Sequence, residues 1–409
     1  MQKLKQFVTP DSLSPETFSV IQLRTIDEPL LPNLRTLELT GIEWWLMPFI
    51  DLFLSPRTTS VTLGFKSNLP DAVIASAITT LPTLCPGLQA ITLYTLPRSL
   101  MITAAISGML LATNQNALQK FRADSPLTEE ASEVTYKLPN LCDLWVVIER
   151  GAPLPSALLP NLTDLKITCD NEDDWPQLFH RATFGKLESV AFHPRSEQIG
   201  DFLGAFERAA LSSSIPNTLS KFSILSWHSW NPKYSSLLPF TQLVDLEIDL
   251  SCNGGCSSMV DDNIIISLSR EMPKLESLAL GGAPCRQITV GVTTKGLLAL
   301  AHHCPKLANL CVHLQVASLG ELPGIPGIVP RAEVTALWMD CALARLVVGA
   351  TPVPEGSAMI IALTLLRIFP RLHRIVSPEG LWEEVEDAIN CSRKIIDYSS
   401  EQCLFSTTP

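Results

Sequence analysis

The sequence predicts an α/β fold in which one short unit is used many times over, and three observations predict it. Leucine fills 63 of the 409 positions while all aromatic residues together fill 27, an excess that points to repetition before anything else. A phrase of nine or ten residues returns along the whole chain. Between its copies lie stretches whose apolar residues recur at helical spacing. Strand inside and helix outside, repeated, make a solenoid with a parallel sheet.

The phrase is clearest at Leu31-Pro-Asn-Leu-Arg-Thr-Leu-Glu-Leu39, Leu138-Pro-Asn-Leu-Cys-Asp-Leu-Trp-Val146 and Leu159-Pro-Asn-Leu-Thr-Asp-Leu-Lys-Ile167. Met272-Pro-Lys-Leu-Glu-Ser-Leu-Ala-Leu280 and Cys304-Pro-Lys-Leu-Ala-Asn-Leu-Cys-Val312 repeat it. Weaker copies have their first anchor at Leu88, Leu118, Leu187, Leu219, Leu243, Leu343 and Leu372, and a degenerate one puts Thr58 there. These thirteen copies recur with a mean period of about 28 residues, the period and pattern of leucine-rich repeats.

Each element has a local reason. The x-Leu-x-Leu part alternates, so a short strand buries its leucines and turns the residues between them outward. Helices are expected over Asp71–Thr80, Arg98–Thr113, Glu197–Ala210, Asp261–Glu271, Thr293–His303 and Ala358–Phe369. In the clear copies a proline two residues before the anchor ends the helix, because proline has no N–H to continue it. No repeat can bury its own leucines, so residues 31–377 are expected to form one array, a horseshoe with the sheet on its concave wall. Residues 1–30 are a lead-in or capping segment, and residues 378–409 a cap and tail. The Pro/Gly tract Glu321–Pro330 is a loop in the longest gap.

Composition excludes several classes of function. The net charge is −11 and no Lys/Arg run appears, so nucleic acid is not expected as a partner. The longest apolar runs, Leu100–Ala112 and Ala358–Leu366, fall short of the roughly 18 residues a membrane span needs. The N-terminus has no apolar signal-peptide core. Eleven scattered cysteines, an odd number, read as buried thiols in a reducing compartment. The expected setting is intracellular, cytoplasmic or nuclear, with no membrane contact.

Some copies carry a more specific pattern. Thr293-Thr-Lys-Gly-Leu-Leu-Ala-Leu-Ala-His-His-Cys-Pro-Lys-Leu307, running on to Leu310, resembles the cysteine-containing repeat of F-box proteins, and Leu84-Cys-Pro-Gly-Leu88 is a poorer instance. The order of elements is similar to that of fungal F-box/leucine-rich-repeat proteins, whose repeats are of the ribonuclease-inhibitor-like kind. The Leu54–Leu88 block comes first, then an acidic helix opening Asp261-Asp262 before Met272-Pro-Lys-Leu275. Phe369-Pro-Arg-Leu372 and Leu381-Trp-Glu-Glu-Val-Glu386 close the series. The resemblance covers residues 10–390. It implies a non-enzymatic interaction module, the substrate-recognition part of an F-box-type ubiquitin ligase subunit. The F-box itself is expected to be missing: Lys5–Leu30 is rich in Pro, Ser and Thr and lacks its helix pattern. A Skp-type adaptor is therefore a partner only if an upstream F-box exists. The alternative is a scaffold or regulator, GTPase-activator-like, outside the ubiquitin system.

Catalytic and metal patterns are poor. Cys252 and Cys256 with His302, His303 and Cys304 hold zinc-ligand types, but a glycine turn and a buried helix-end cysteine explain them more simply. Asp170–Asp174 lacks the glycine and terminal Glu of a calcium loop. The glycine pairs match no nucleotide-binding spacing. No catalytic residue, cofactor or metal is expected. Binding falls instead to the outward strand positions, which form three columns. Tyr94, Arg122, Trp145, Lys166 and His193 stand out there, since Trp, Tyr and Arg anchor interfaces. Asp245, Glu247 and Asp249 make an acidic strip suited to a basic segment, and His313 is a further candidate. Trp227 and Trp230 are candidates for an aromatic rim. Trp44, Trp45 and Trp382 read as core.

Overall fold

All thirteen phrases become strands, and each strand begins two residues after its anchor. The structure is a computed structural model that describes residues 3–7, 29–149, 157–169, 175–195, 202–211, 215–226, 232–250, 260–281, 291–319, 341–348, 353–377, 380 and 382–405. The chain forms two compact units, Met1–Pro194 with Ser212–Ile215 and Arg195–Leu211 with Pro216–Pro409. Among the described residues no helix is long and apolar enough to cross a membrane.

In the first unit the strands are β1 (Lys3–Phe7), β2 (Thr36–Ile42), β3 (Ser60–Phe65), β4 (Ala90–Tyr94), β5 (Lys120–Ala123) and β6 (Asp143–Ile148). After them come β7 (Ala157–Leu159), β8 (Asp164–Cys169), β9 (Ala182–Phe184) and β10 (Ser189–Pro194). Eight of these, all but β7 and β9, lie side by side in chain order, and every pair is parallel. The register is unbroken at the first outward column, Thr36 to Ser60 to Ala90 to Lys120 to Asp143 to Asp164 to Ser189. Two features differ from the sequence reading. The lead-in supplies β1, which pairs with β2, and β7 and β9 form a small sheet of their own.

The anchors explain why the copies stack. Leu34, Leu88, Leu118, Leu141, Leu162 and Leu187 are all buried, as is Thr58 at the degenerate copy. Each buried leucine contributes about 1.5–3 kcal/mol, and no single repeat could enclose it. Thr58 is tolerated because its hydroxyl donates to the Leu34 carbonyl at 3.2 Å and accepts the Ser55 N–H at 3.2 Å. The asparagine of Leu-Pro-Asn-Leu ties neighbours together: Asn140 donates to the Asn116 carbonyl at 2.7 Å and Asn161 to the Pro139 carbonyl at 2.9 Å. Helices Asp71–Leu84 and Leu100–Ala112 pack beside each other behind the sheet. Trp44 is a correction: it is 70% exposed, on the turn that leads into the 3₁₀ helix Met47–Phe53, while Leu46 and Met47 bury themselves.

The second unit holds β11 (Lys221–Ser226), β12 (Asp245–Leu250), β13 (Ser277–Leu280), β14 (Asn309–Val312), β15 (Arg345–Val348) and β16 (Arg374–Val376), again parallel in chain order. Three of its helices follow the expected bounds closely: Asp262–Glu271, Thr294–His303 and Ala358–Ile368. Of the expected Glu197–Ala210 the structure describes Phe202–Leu211, residues 197–201 lying outside the described ones. Phe206 packs between Phe222 and Phe240 with centroids 5.0 and 5.1 Å away, and all three rings are buried. Trp382, core as expected, precedes the last helix, Glu383–Phe405.

The repeat motifs here have visible causes. Asp261 caps its own helix by accepting the Ile264 N–H at 2.9 Å. Its neighbour Asp262 reaches the next helix, accepting the N–H groups of Thr293 and Gly296 at 2.9 and 3.1 Å, and the Thr293 hydroxyl. A Cβ at Gly296 would lie 2.5 Å from that carboxylate, so the glycine of Thr-x-x-Gly-Leu leaves room for it. Cys304 ends the helix, and its thiol donates to the carbonyls of Ser269 and Met272, both at 3.6 Å. Cys341 repeats this one turn on, against the Cys304 carbonyl at 3.8 Å.

Candidate partner-binding face

Alternation along each strand decides which side chains can meet a partner. In β6, Leu144 and Val146 are buried while Asp143 and Trp145 are half-buried on the open side of the sheet. The register then places Thr92, Arg122, Trp145 and Lys166 in one row on β4, β5, β6 and β8. Tyr94 and His193 stand two residues further along β4 and β10. The structure brings five of the sequence-predicted residues together here.

Trp145 is the centre of the group. Its Nε1–H donates to the Thr168 hydroxyl at 2.9 Å, which lays the indole across the sheet and covers Thr168 almost completely. The Lys166 ammonium sits 3.7 Å from the indole centroid, a cation–π contact. Tyr94 and His193 flank the ring at centroid distances of 6.1 and 6.5 Å. Arg122 is held by Asp143 in a two-pronged pair, Nε to Oδ1 and Nη2 to Oδ2, both 2.7 Å. Lys120 shares that carboxylate at 3.0 Å. Sequence reasoning passed over Asp143 and Thr168, the two residues that orient Arg122 and Trp145; both face outward in the columns, but their cross-strand bonds need the register to be seen.

Burial and neighbouring charge shape the electrostatics. Burial pushes the His193 pKa down to about 4, and the Lys166 charge acts in the same direction. The ring is therefore neutral at physiological pH. The Lys166 pKa is lowered too, by burial first and then by Arg122, with Asp124 opposing. Burial raises the Asp124 carboxyl pKa. That carboxylate accepts the backbone N–H groups of Thr95 and Leu96 at 2.8 and 3.1 Å, supporting Thr95 at φ 56° just after β4.

In the second unit Asp245, Glu247 and Asp249 alternate along β12, with Glu247 exposed and the other two half-buried. Burial raises the Glu247 pKa, and Asp245 and Asp249 raise it further; burial raises that of Asp249. Beside the strip β13 offers only Ser277 and Ala279. His313 is a correction: it is 6% exposed, beside the Gly291–Val292 segment that pairs with its backbone through the Val292 N–H on the His313 carbonyl at 2.8 Å. Trp227 and Trp230 lie outside the described residues, as do Cys252, Cys256, Asp170–Asp174 and Glu321–Pro330. No group of three or more His, Cys, Asp or Glu is placed to hold a metal among the described residues. The Cys304 thiol is fully buried and pushed up to about 12 by that burial, so it stays protonated.

Parallel strands in register, anchored by leucines and backed by helices, define a leucine-rich-repeat solenoid, a fold that presents an open sheet face. No family model and no curated protein matches the chain. Among solved structures it is similar to a chain in a crystal structure of a TLR13–ssRNA13 complex, at 15% identity and a TM-score of 0.34. The match covers 88% of this chain and 56% of that one, so this chain spans little more than half its length. At that identity and score the likeness assigns neither ligand nor partner here.

Proposed function

We propose that the chain is a non-enzymatic protein-recognition module that holds a protein partner on the open face of its first unit. One observation supports this most: Tyr94, Arg122, Trp145, Lys166 and His193 form a contiguous group across β4 to β10. Trp, Tyr and Arg are the residues that dominate interface energetics. Here Trp145 and Arg122 are already held by hydrogen bonds, so little side-chain freedom remains to be lost on binding. On this reading residues 31–377 are the repeat array, of which the first unit supplies the face, residues 1–30 lead into the array and 378–409 cap it. No cofactor or metal takes part, and the setting is the cytoplasm or nucleus.

On this reading the partner is the substrate of an F-box-type ubiquitin ligase. The Thr-x-x-Gly-Leu phrase at Thr293–Leu297 and the helix-end cysteines Cys85 and Cys304 support it. A Skp-type adaptor joins only through an upstream F-box. The test compares proteins retained by the immobilised full chain and by Trp145→Ala, with circular dichroism as the control for folding. The bound set should be lost or strongly reduced in the variant. An unchanged set on a folded variant removes this face from recognition.

A further inference from the structure

Lys166 is out of balance with its surroundings. Across three adjacent strands the second outward column presents Arg122, Trp145 and Lys166, and no carboxylate. Arg122 is matched by Asp143, which Lys120 shares. Asp124 is committed to two backbone N–H groups and Asp164 accepts the Thr163 hydroxyl at 2.8 Å. Among the described residues the Lys166 ammonium has no carboxylate within ion-pairing distance; its one close contact is the Trp145 ring. A half-buried ammonium in that position has lost part of its hydration, and among the described residues it gains from Asp124 a through-space attraction but no ion pair.

We propose that this face takes an acidic segment of a partner protein, one carboxylate docking on Lys166 beside the His193 ring while Trp145 and Tyr94 cover the segment's apolar atoms. The inference rests on the recognition reading above and names its chemistry. A carboxylate in that place restores to Lys166 the charge-assisted hydrogen bonds that burial took from it. The Trp145 ring against the ammonium, with Tyr94 and His193 beside that ring, limits water around the pair and strengthens it. A single carboxylate also fits the wider field. A nucleic acid fixes its phosphates along a backbone and would bring several of them against Asp143 and Asp164, one column away from Lys166, in a chain of net charge −11. The flexible acidic side chains of a peptide can turn away from those two carboxylates.

The experiment uses the full chain carrying ¹³C at histidine Cε1, with the His193 resonance assigned through His193→Gln. Octaglutamate, octalysine and an octauridine RNA are titrated separately at the same low ionic strength. Octaglutamate should shift the His193 signal saturably and octalysine should not. Lys166→Met, which keeps the aliphatic stem, should weaken octaglutamate by about tenfold or more, and Lys166→Arg should retain it. The wild-type titration stands even where a variant does not fold. The proposal is overturned by an unmoved His193 signal, by an equal response to octalysine, or by a response to the RNA in place of octaglutamate. Loss of retained proteins in Trp145→Ala together with silence toward octaglutamate would keep the recognition reading and discard the acidic partner. Retention unchanged in Trp145→Ala, with octaglutamate still shifting His193, would do the reverse.

Discussion

The two units use one scaffold and both bury ring clusters, Phe179 with Phe184 and Phe192 in the first, but the described parts of their open faces differ. In the first, Trp145 and Tyr94 stand on the open face with cations around them. In the second, Phe206, Phe222 and Phe240 pack into the interior and the open face of β12 carries carboxylates. Both units bury the leucine positions of their strands in the same way, so the anchors do not account for the difference. What differs is the residue type that falls at each outward position and its neighbours across the ladder. A repeat array can therefore change its surface chemistry strand by strand without disturbing the anchors behind it.

Substitutions can test how sharply inside and outside are divided. Phe206→Ala should have the largest effect, a loss of about 3–5 kcal/mol as a buried three-ring cluster loses its central member. Chemical denaturation and hydrogen exchange across Phe202–Leu211 would measure it. Trp145→Ala should cost less, about 1–2 kcal/mol, because the indole is half-exposed and its loss frees one hydrogen bond to Thr168. Equal losses at the two positions would erase the distinction between an interior ring cluster and a surface one.

His193 offers a pH test of the first unit. Its folded pKa of about 4 lies below the ordinary 6.5, so the unfolded chain binds its proton first as the pH falls. Stability from this residue is fully present above 6.5 and is lost as the pH drops through the window down to about 4. The loss should be on the order of 2 kcal/mol after allowance for partial exposure, and His193→Gln should flatten that part of the profile. The smallest effect belongs to the second unit. The Glu247 pKa is raised above its ordinary 4.5, so its favourable contribution exists at low pH and disappears as the pH rises through the folded value. At neutral pH Glu247→Gln should therefore stabilise the protein, by about half a kcal/mol or less for so exposed a charge. A destabilised Glu247→Gln would mean that the strip is balanced by cations after all.

Much of this was legible in the sequence because burial in a repeat array is a matter of spacing. Anchors from Leu34 to Leu372 predict the starts of the thirteen strands β2–β6, β8 and β10–β16, and the outward columns hold their register through each pair described. The six expected helices lie at the expected places for the same reason. What spacing cannot convey is how side chains lean across strands. Trp145 meets Thr168 and Lys166 on the next strand, and Arg122 reaches Asp143 on another, through rotamers that no pattern encodes. His313 keeps the outward parity of its column yet is buried, at a place where a segment with no repeat signature, Gly291–Val292, pairs alongside the backbone. Trp44 fails in the opposite sense, an apolar residue left at a turn. β1, β7 and β9 fall outside the phrase and carry too few residues to announce themselves.

Asp262 has a consequence for how the array comes apart. It belongs to the first turn of one helix, yet its carboxylate satisfies the opening N–H groups of the next, at Thr293 and Gly296. Unwinding Asp262–Glu271 thus takes the acceptor from the Thr293 and Gly296 N–H groups of Thr294–His303, while the Thr293 hydroxyl still holds Lys295. The two repeats share one fraying event. Such a link gives a linear array nearest-neighbour cooperativity, so that order is lost in adjoining pairs and a defect at one repeat is felt by the next.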